Sequence, residues 1–485
     1  MGVVLTNSQP PQSPRTGRFG QIRCPGTLAR RGFLRLGFSA LGGLGLADLL
    51  RLQSAAATRA ATGSGRLGLQ PASKGSQTSH KSDKAIIVIW LWGGPSHMET
   101  FDLKPDAPTE YRGEFRPIST RSAGLQICEH LPRLAQLGDR IAILRSLGHD
   151  SPGHVSSTHT LLTGYPGEVV EMPPFRSRYP DFWSIVSKTR GERSFGVPVH
   201  VALPTLRYNG SAYLTGGLNP FVVAADPNDA HFHVPNLALE RLSKPRFADR
   251  LDLLKRFDSY RRSIDDPASD SMDEFNRKAA SLLTRGELRK AFDVEREDHK
   301  TRERYGRHAV GQRCLLARRL IEAGVRMVTV DFPHVPGQKA FSWDDHASVW
   351  NIFTEMKRRL PVLDQVTSAL IQDLRERGLD QDVLVVVMGE MSHTPRLSNF
   401  QGQPGREHWG RTMSVLLAGG GLRMGQAVGA TNRCGDEAIS RPLKPTDLLA
   451  TLYEYFGISP ETAFTSSAGR PTRILPDGQP IPELI

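Results

Sequence analysis

The stretch Ala85-Ile86-Ile87-Val88-Ile89-Trp90-Leu91-Trp92-Gly93-Gly94-Pro95 decides the fold. An unbroken apolar run rich in β-branched residues suits a strand buried on both faces, whereas a half-exposed strand would alternate. The Gly-Gly-Pro behind it closes the strand in a tight turn. Similar runs recur at residues 141–144, 383–388 and 413–418, with a weaker one at 199–203. Between them lie helical patterns. Residues 312–323 place apolar side chains at helical spacing, Gly324 supplies the stop, and 325–330 follow as a strand. Residues 348–378 are expected to form a pair of helices ending at Gly378, and 445–456 a last helix closed by Gly457. This alternation predicts an α/β fold with a mostly parallel sheet, helices on both faces, and ligands at the carboxyl ends of the strands.

Composition bounds the function. The chain has 485 residues, 39% hydrophobic and 23% charged, which excludes wholesale disorder and a polytopic membrane protein. Cys24, Cys128, Cys314 and Cys434 are scattered without CxxC spacing, so neither a zinc knuckle nor a thioredoxin-like pair is indicated. The net charge of +12 suggests nucleic acid only until it is mapped. The first 80 residues hold ten Lys or Arg against the single acid Asp48, leaving +3 for the remaining 405, and a body so close to neutral has no strong pull on a polyanion.

That basic leader has its own reading. Ala29-Arg30-Arg31-Gly32-Phe33-Leu34-Arg35 precedes a weakly apolar, glycine-rich run over 36–46, then Ala55-Ala56-Ala57. This is the pattern of a twin-arginine export signal over residues 1–57, followed by a flexible linker over 58–82. The apolar run is shorter than the roughly 20 residues of a membrane span, so no stable span is expected. The partner implied is the twin-arginine export machinery, and the address is periplasmic or extracellular, where disulfides are permitted. The domain then runs from 83 to 485. Residues 205–310 differ in texture, with loops to about 236 and charged helical stretches at 237–263 and 273–296, and are expected to be an insertion or lid.

Polar residues gather after the predicted strands. Ser96, His97, Glu99 and Asp102 follow the first; Asp331 and His334, then Asp344, Asp345 and His346, follow 325–330; Glu390 and His393 follow 383–388; Arg406, Glu407 and His408 precede 413–418. Carboxylate and imidazole without thiol suit zinc, manganese or iron, or magnesium or calcium where carboxylates predominate. Each cluster alone is weak; four beside the strand ends of one sheet point to a metal or anion site. The segment Pro152-Gly153-His154-Val155-Ser156-Ser157-Thr158 reads as a loop opening a short helix that exits at Gly164. Its N-terminus could receive a phosphate or sulfate oxygen, or Ser156 or Ser157 could simply cap it.

Taken together, the leader, Trp90-Leu91-Trp92-Gly93-Gly94-Pro95-Ser96-His97, Lys104-Pro105-Asp106-Ala107-Pro108, Cys128-Glu129-His130-Leu131-Pro132, Trp343-Asp344-Asp345-His346, Val387-Met388-Gly389-Glu390 and Gly405-Arg406-Glu407-His408-Trp409 resemble the exported bacterial family known as domain of unknown function 1501, within the sulfatase and alkaline-phosphatase-like superfamily. The resemblance implies an alkaline-phosphatase-like sandwich that hydrolyses sulfate or phosphate esters, of small molecules or polysaccharides, with a divalent metal such as zinc, manganese or calcium. It places metal ligands at Glu99, Asp344, His346, Glu390 and His408, and catalytic groups at His154, His97 and Ser156. Where the superfamily carries its nucleophile the alignment falls on His154, and no convertible Cys or Ser motif is visible. An alternative is therefore a catalytically degenerate member acting in binding or surface assembly.

Overall fold

Residues 85–90 form a strand, β1 (Ala85–Trp90), and all six are buried. Its side chains alternate between two cores. Ala85, Ile87 and Ile89 pack with Leu315, Leu320, Leu360 and Leu363, whereas Ile86, Val88 and Trp90 pack with Leu161, Phe182, Leu448 and Leu449. Burial on both sides is why the sequence there shows no polar alternation. The computed structural model describes residues 84–167, 177–194, 196–207, 210–214, 216–234 and 286–485, with isolated positions at 246, 249, 250 and 253. The expected leader and linker lie outside the described residues, as does most of the two charged helical stretches.

Seven strands join β1: β2 (Ile141–Leu147), β3 (His200–Leu203), β4 (Phe221–Val222), β5 (Met327–Asp331), β6 (Val383–Met388), β7 (Met413–Gly419) and β8 (Gln426–Val428). Their order is β8-β2-β7-β6-β1-β5-β3-β4. Neighbours are parallel except where β7 runs against both β2 and β6. One face is covered by α1 (His154–Thr163), α2 (Phe182–Arg190) and α5 (Pro445–Tyr455), the other by α3 (Ala309–Glu322) and α4 (Ile352–Glu376). The fold is thus the expected mostly parallel α/β sandwich.

Two expectations are corrected. The pair of helices expected over 348–378 is the single helix α4, which continues through Pro361. The proline removes the amide that would bond the Lys357 carbonyl, but Pro361 and Lys357 are both exposed, so water can serve that carbonyl. Meanwhile Met356, Leu360, Leu363, Val366 and Leu370 keep one buried stripe across the proline. Within 205–310, Phe221–Val222 was expected to be loop; it pairs in parallel with β3 and forms the sheet's edge. Among the described residues no helix is long and apolar enough to cross a membrane. Cys128, Cys314 and Cys434 are free thiols, and burial pushes the first two up to about 12.

Candidate metal centre

The chain leaves β1 through Gly93 and Gly94, with φ of 104° and 83°, a region that only glycine enters without strain. A Cβ at Gly93 would fall 2.5 Å from the Asp344 amide nitrogen, and one at Gly94 2.6 Å from the Met391 carbonyl oxygen. The turn is therefore wedged between the loop carrying Asp344 and the loop carrying Glu390, and the Gly93 amide donates to Glu390 Oε1 at 2.8 Å. Gly93→Ala is expected to leave the sheet folded while lowering divalent-metal affinity by about 10- to 100-fold, the range seen when support around ligands is disturbed. Competition against a chelator, with circular dichroism on the same sample, measures both.

The adjacent acids Asp344 and Asp345 serve different ends. Asp345 is fully buried, where it accepts from Arg359 of α4 and from the Trp350 indole at 2.7 Å. Arg359 also bonds the Ser342 carbonyl and lies over the buried Trp343 ring, whose indole nitrogen donates to the Phe332 carbonyl at 2.6 Å. With the loop pinned this way, the Asp344 side chain turns to the rim, 24% exposed.

Four imidazoles meet it there. His346, His393 and His408 bring Nε2 to Asp344 Oδ1 at 2.9, 3.2 and 3.2 Å, and His154 Nε2 lies 3.3 Å from Oδ2. His154 is the first residue of α1, and its Nδ1 is 2.7 Å from the fully buried Glu390 carboxylate. His393 and His408 are direct cross-strand partners in a short antiparallel ladder, Ser392–His393 against His408–Trp409, which sets their rings side by side. His346 Nδ1 is 2.5 Å from Glu407. Ligand atoms of His154, Asp344 and His408 all lie within 4.8 Å of one another.

Charge follows this geometry. Burial alone would raise the Asp344 carboxyl, but the hydrogen bonds from His154, His346, His393 and His408 hold it well below the usual carboxylate range. Burial alone would lower His154, yet its bonds to Asp344 and Glu390 push it up to about 10. Among the described residues Glu390 Oε2 is buried without a hydrogen-bond partner.

Three expected site residues stand apart from the cluster. Glu99 is fully buried and gripped by Arg406, with Nη2 and Nε at 2.6 and 3.0 Å, and it accepts from Ser96 at 2.5 Å. The partners of Glu99 are therefore Arg406 and Ser96, a buried pair away from the histidines that meet Asp344. His97 is buried, with Nδ1 on the Ser392 hydroxyl at 2.7 Å and Nε2 on the Gly435 carbonyl at 2.9 Å. Ser156 bonds the amide and carbonyl of Gly153, so it caps α1. His154, Asp344, His346, Glu390 and His408 do come together. His393 and Glu407 belong to the clusters noted in the sequence but were given no role there; the cross-strand pairing of His393 with His408, which sequence spacing does not encode, brings them to the site.

The family described as "Protein of unknown function (DUF1501)" matches residues 83–485. The chain belongs to this family. A search of curated proteins finds no match to the DUF1501 chain. Among solved structures it is similar to the PsFucS1 sulfatase from Pseudoalteromonas sp., at 13% identity and a TM-score of 0.34, covering 77% of this chain and 68% of that one. It is also similar to a protein in the alkaline phosphatase superfamily from Vibrio parahaemolyticus, at 8% identity and 0.34, covering 78% and 67%. A third is the C-terminal periplasmic domain of EcEptC from Escherichia coli in complex with Zn, at 11% identity and 0.35, covering 84% and 91%.

Proposed function

We propose that this DUF1501 chain is an exported, metal-dependent hydrolase of sulfate or phosphate esters, of small molecules or polysaccharides. The observation that carries the reading is the meeting of four imidazoles on the Asp344 carboxylate. His154, His346 and His408 each have both ring nitrogens on oxygen acceptors, which donation satisfies only in the charged imidazolium, whereas a divalent cation taking one lone pair leaves a ring neutral with a single N–H to donate. The predominance of imidazole over carboxylate favours zinc or manganese over calcium. His154, Asp344 and His408 would hold the ion, and Glu390, on the far nitrogen of His154, fixes that ring's orientation as carboxylates behind metal-bound histidines do. A bound divalent cation would polarise the ester and make an attacking water more acidic.

The chain's own residues supply the rest. His346, between Asp344 and Glu407, is placed to take a proton at Nε2 while Glu407 accepts from Nδ1. The hydroxyls of Ser156 and Ser157 turn to Gly153 and to the Ser151 carbonyl, which supports water as the attacking group. The same arrangement is what a binding protein without turnover would show. Arg30-Arg31 ahead of the apolar run supports the export part of the reading.

Elemental analysis of protein purified without chelator, beside hydrolysis of aryl sulfates, phosphomonoesters and phosphodiesters, tests the reading. About one equivalent of transition metal and metal-stimulated turnover that disappears in His408→Ala are expected. A folded, metal-free protein would end the proposal; bound metal with no turnover on any ester would favour the binding role.

A further inference from the structure

Four arginines approach the histidine cluster, and they differ in how much of their charge is already engaged. Arg359 and Arg406 are fully buried, the first on Asp345 and the Ser342 carbonyl, the second on Glu99 and the carbonyls of Tyr111, Thr394 and Pro395. Arg411 is 70% exposed, and its ion pair with Asp150 is a loose one of 3.5 Å. Arg207 is different. Its side chain is 30% exposed, yet the guanidinium is fixed on two sides: Nε and Nη2 donate to Asp331 Oδ2 at 3.2 and 3.0 Å, and Cζ lies 4.7 Å from the Trp92 ring. That indole is in turn 5.1 Å from the His154 imidazole, so a single ring links Arg207 to the cluster.

Asp331 is built into the sheet to do this holding. It ends β5 directly across from Trp90 of β1 and is only 2% exposed. Its grip on the Nε and Nη2 edge leaves Nη1 with no hydrogen bond among the described residues. The imidazoles of the cluster face the carboxylates of Asp344, Glu390 and Glu407, which would repel an oxyanion, so a cation engaged elsewhere is needed to receive one. A planar guanidinium, charged at every working pH and held in one orientation, is the group that recognises tetrahedral oxyanions best.

We propose that Arg207 is the anion-binding residue of this site, its open edge receiving the non-bridging oxygens of a sulfuryl or phosphoryl group while Trp92 and Asp331 fix its plane. The proposal deepens the ester-hydrolase reading and rests on it for the identity of the ester. The residue lies in the 205–310 stretch expected from sequence to be an insertion or lid, so that stretch would contribute to substrate choice.

Titration calorimetry of the full chain with inorganic phosphate and with inorganic sulfate tests it. The samples are metal-loaded and chelator-treated wild type, Arg207→Met combined with Asp331→Asn so that no buried carboxylate is stranded, Arg207→Lys, and Arg411→Met as a charge-matched control. Wild type is expected to bind at least one of the two anions. The double variant should weaken that binding by about tenfold or more, Arg207→Lys should fall between, and Arg411→Met should stay within about twofold, all at unchanged metal content and melting temperature. Wild-type affinity in both Arg207 variants would overturn the proposal. So would a wild type that binds neither anion, or loss of metal from Arg207→Lys. Arg207-dependent anion binding by a protein that holds no metal would leave the proposal standing and remove the metal-dependent reading instead.

Discussion

Replacing Asp344 with alanine is expected to take bound divalent metal from about one equivalent to none and to lower ester turnover by about a thousandfold or more. The magnitude follows from the several kcal/mol that a metal contributes to transition-state charge, at about 1.4 kcal/mol per tenfold. Asp344 is the common neighbour of His154, His346, His393 and His408, so its removal disperses all four rather than deleting one ligand among equals. Asp344→Asn is the sharper variant, because it keeps the shape and discards the charge. Elemental analysis and steady-state kinetics on both variants provide the measurement. A folded Asp344→Asn that keeps its full metal complement would show that the carboxylate is not the centre of the site.

The second large effect concerns stability. Arg406→Met strands the Glu99 carboxylate where neither partner has measurable exposure, and breaking a buried pair from one side costs about 3–5 kcal/mol. Against the roughly 5–15 kcal/mol that separates folded from unfolded chains, such a variant should denature at much lower urea concentration and accumulate poorly in cells. Adding Glu99→Gln removes the stranded charge and should recover a large part of the loss. A single variant that costs less than about 1 kcal/mol in urea titration would mean the pair is more hydrated than its burial indicates. Arg406 also ties down carbonyls at Thr394 and Pro395, so the single variant should lose metal affinity along with stability.

The sheet was legible because hydrophobic runs report burial directly. The strands at 85–90, 383–388 and 413–419 needed no other information. Where the reading failed, tertiary context had overruled a local rule. Pro361 is a helix breaker in isolation, but the buried stripe on either side of it outweighs one missing hydrogen bond. In the site, residue types and their position beside strand ends pointed to the clusters, and the family resemblance placed ligands at Asp344, His346, Glu390 and His408 within them. Residue types and spacing alone could not separate Asp344 from Asp345, which differ in which one Arg359 captures, nor foresee that Arg406 would reach back to Glu99 across 307 positions. Partner choice between distant charged residues leaves no trace in spacing.

The reversed direction of β7 has a consequence for how this centre could diversify. Since β6 and β7 are adjacent and antiparallel, the segment linking them departs and returns at the same end of the sheet, without crossing either layer of helices. Glu390, His393, Glu407 and His408 all ride on that one excursion. Changing it around a retained Arg406, which anchors Glu99, would alter Glu390, His393, Glu407 and His408 together while the strand order beneath stays as it is.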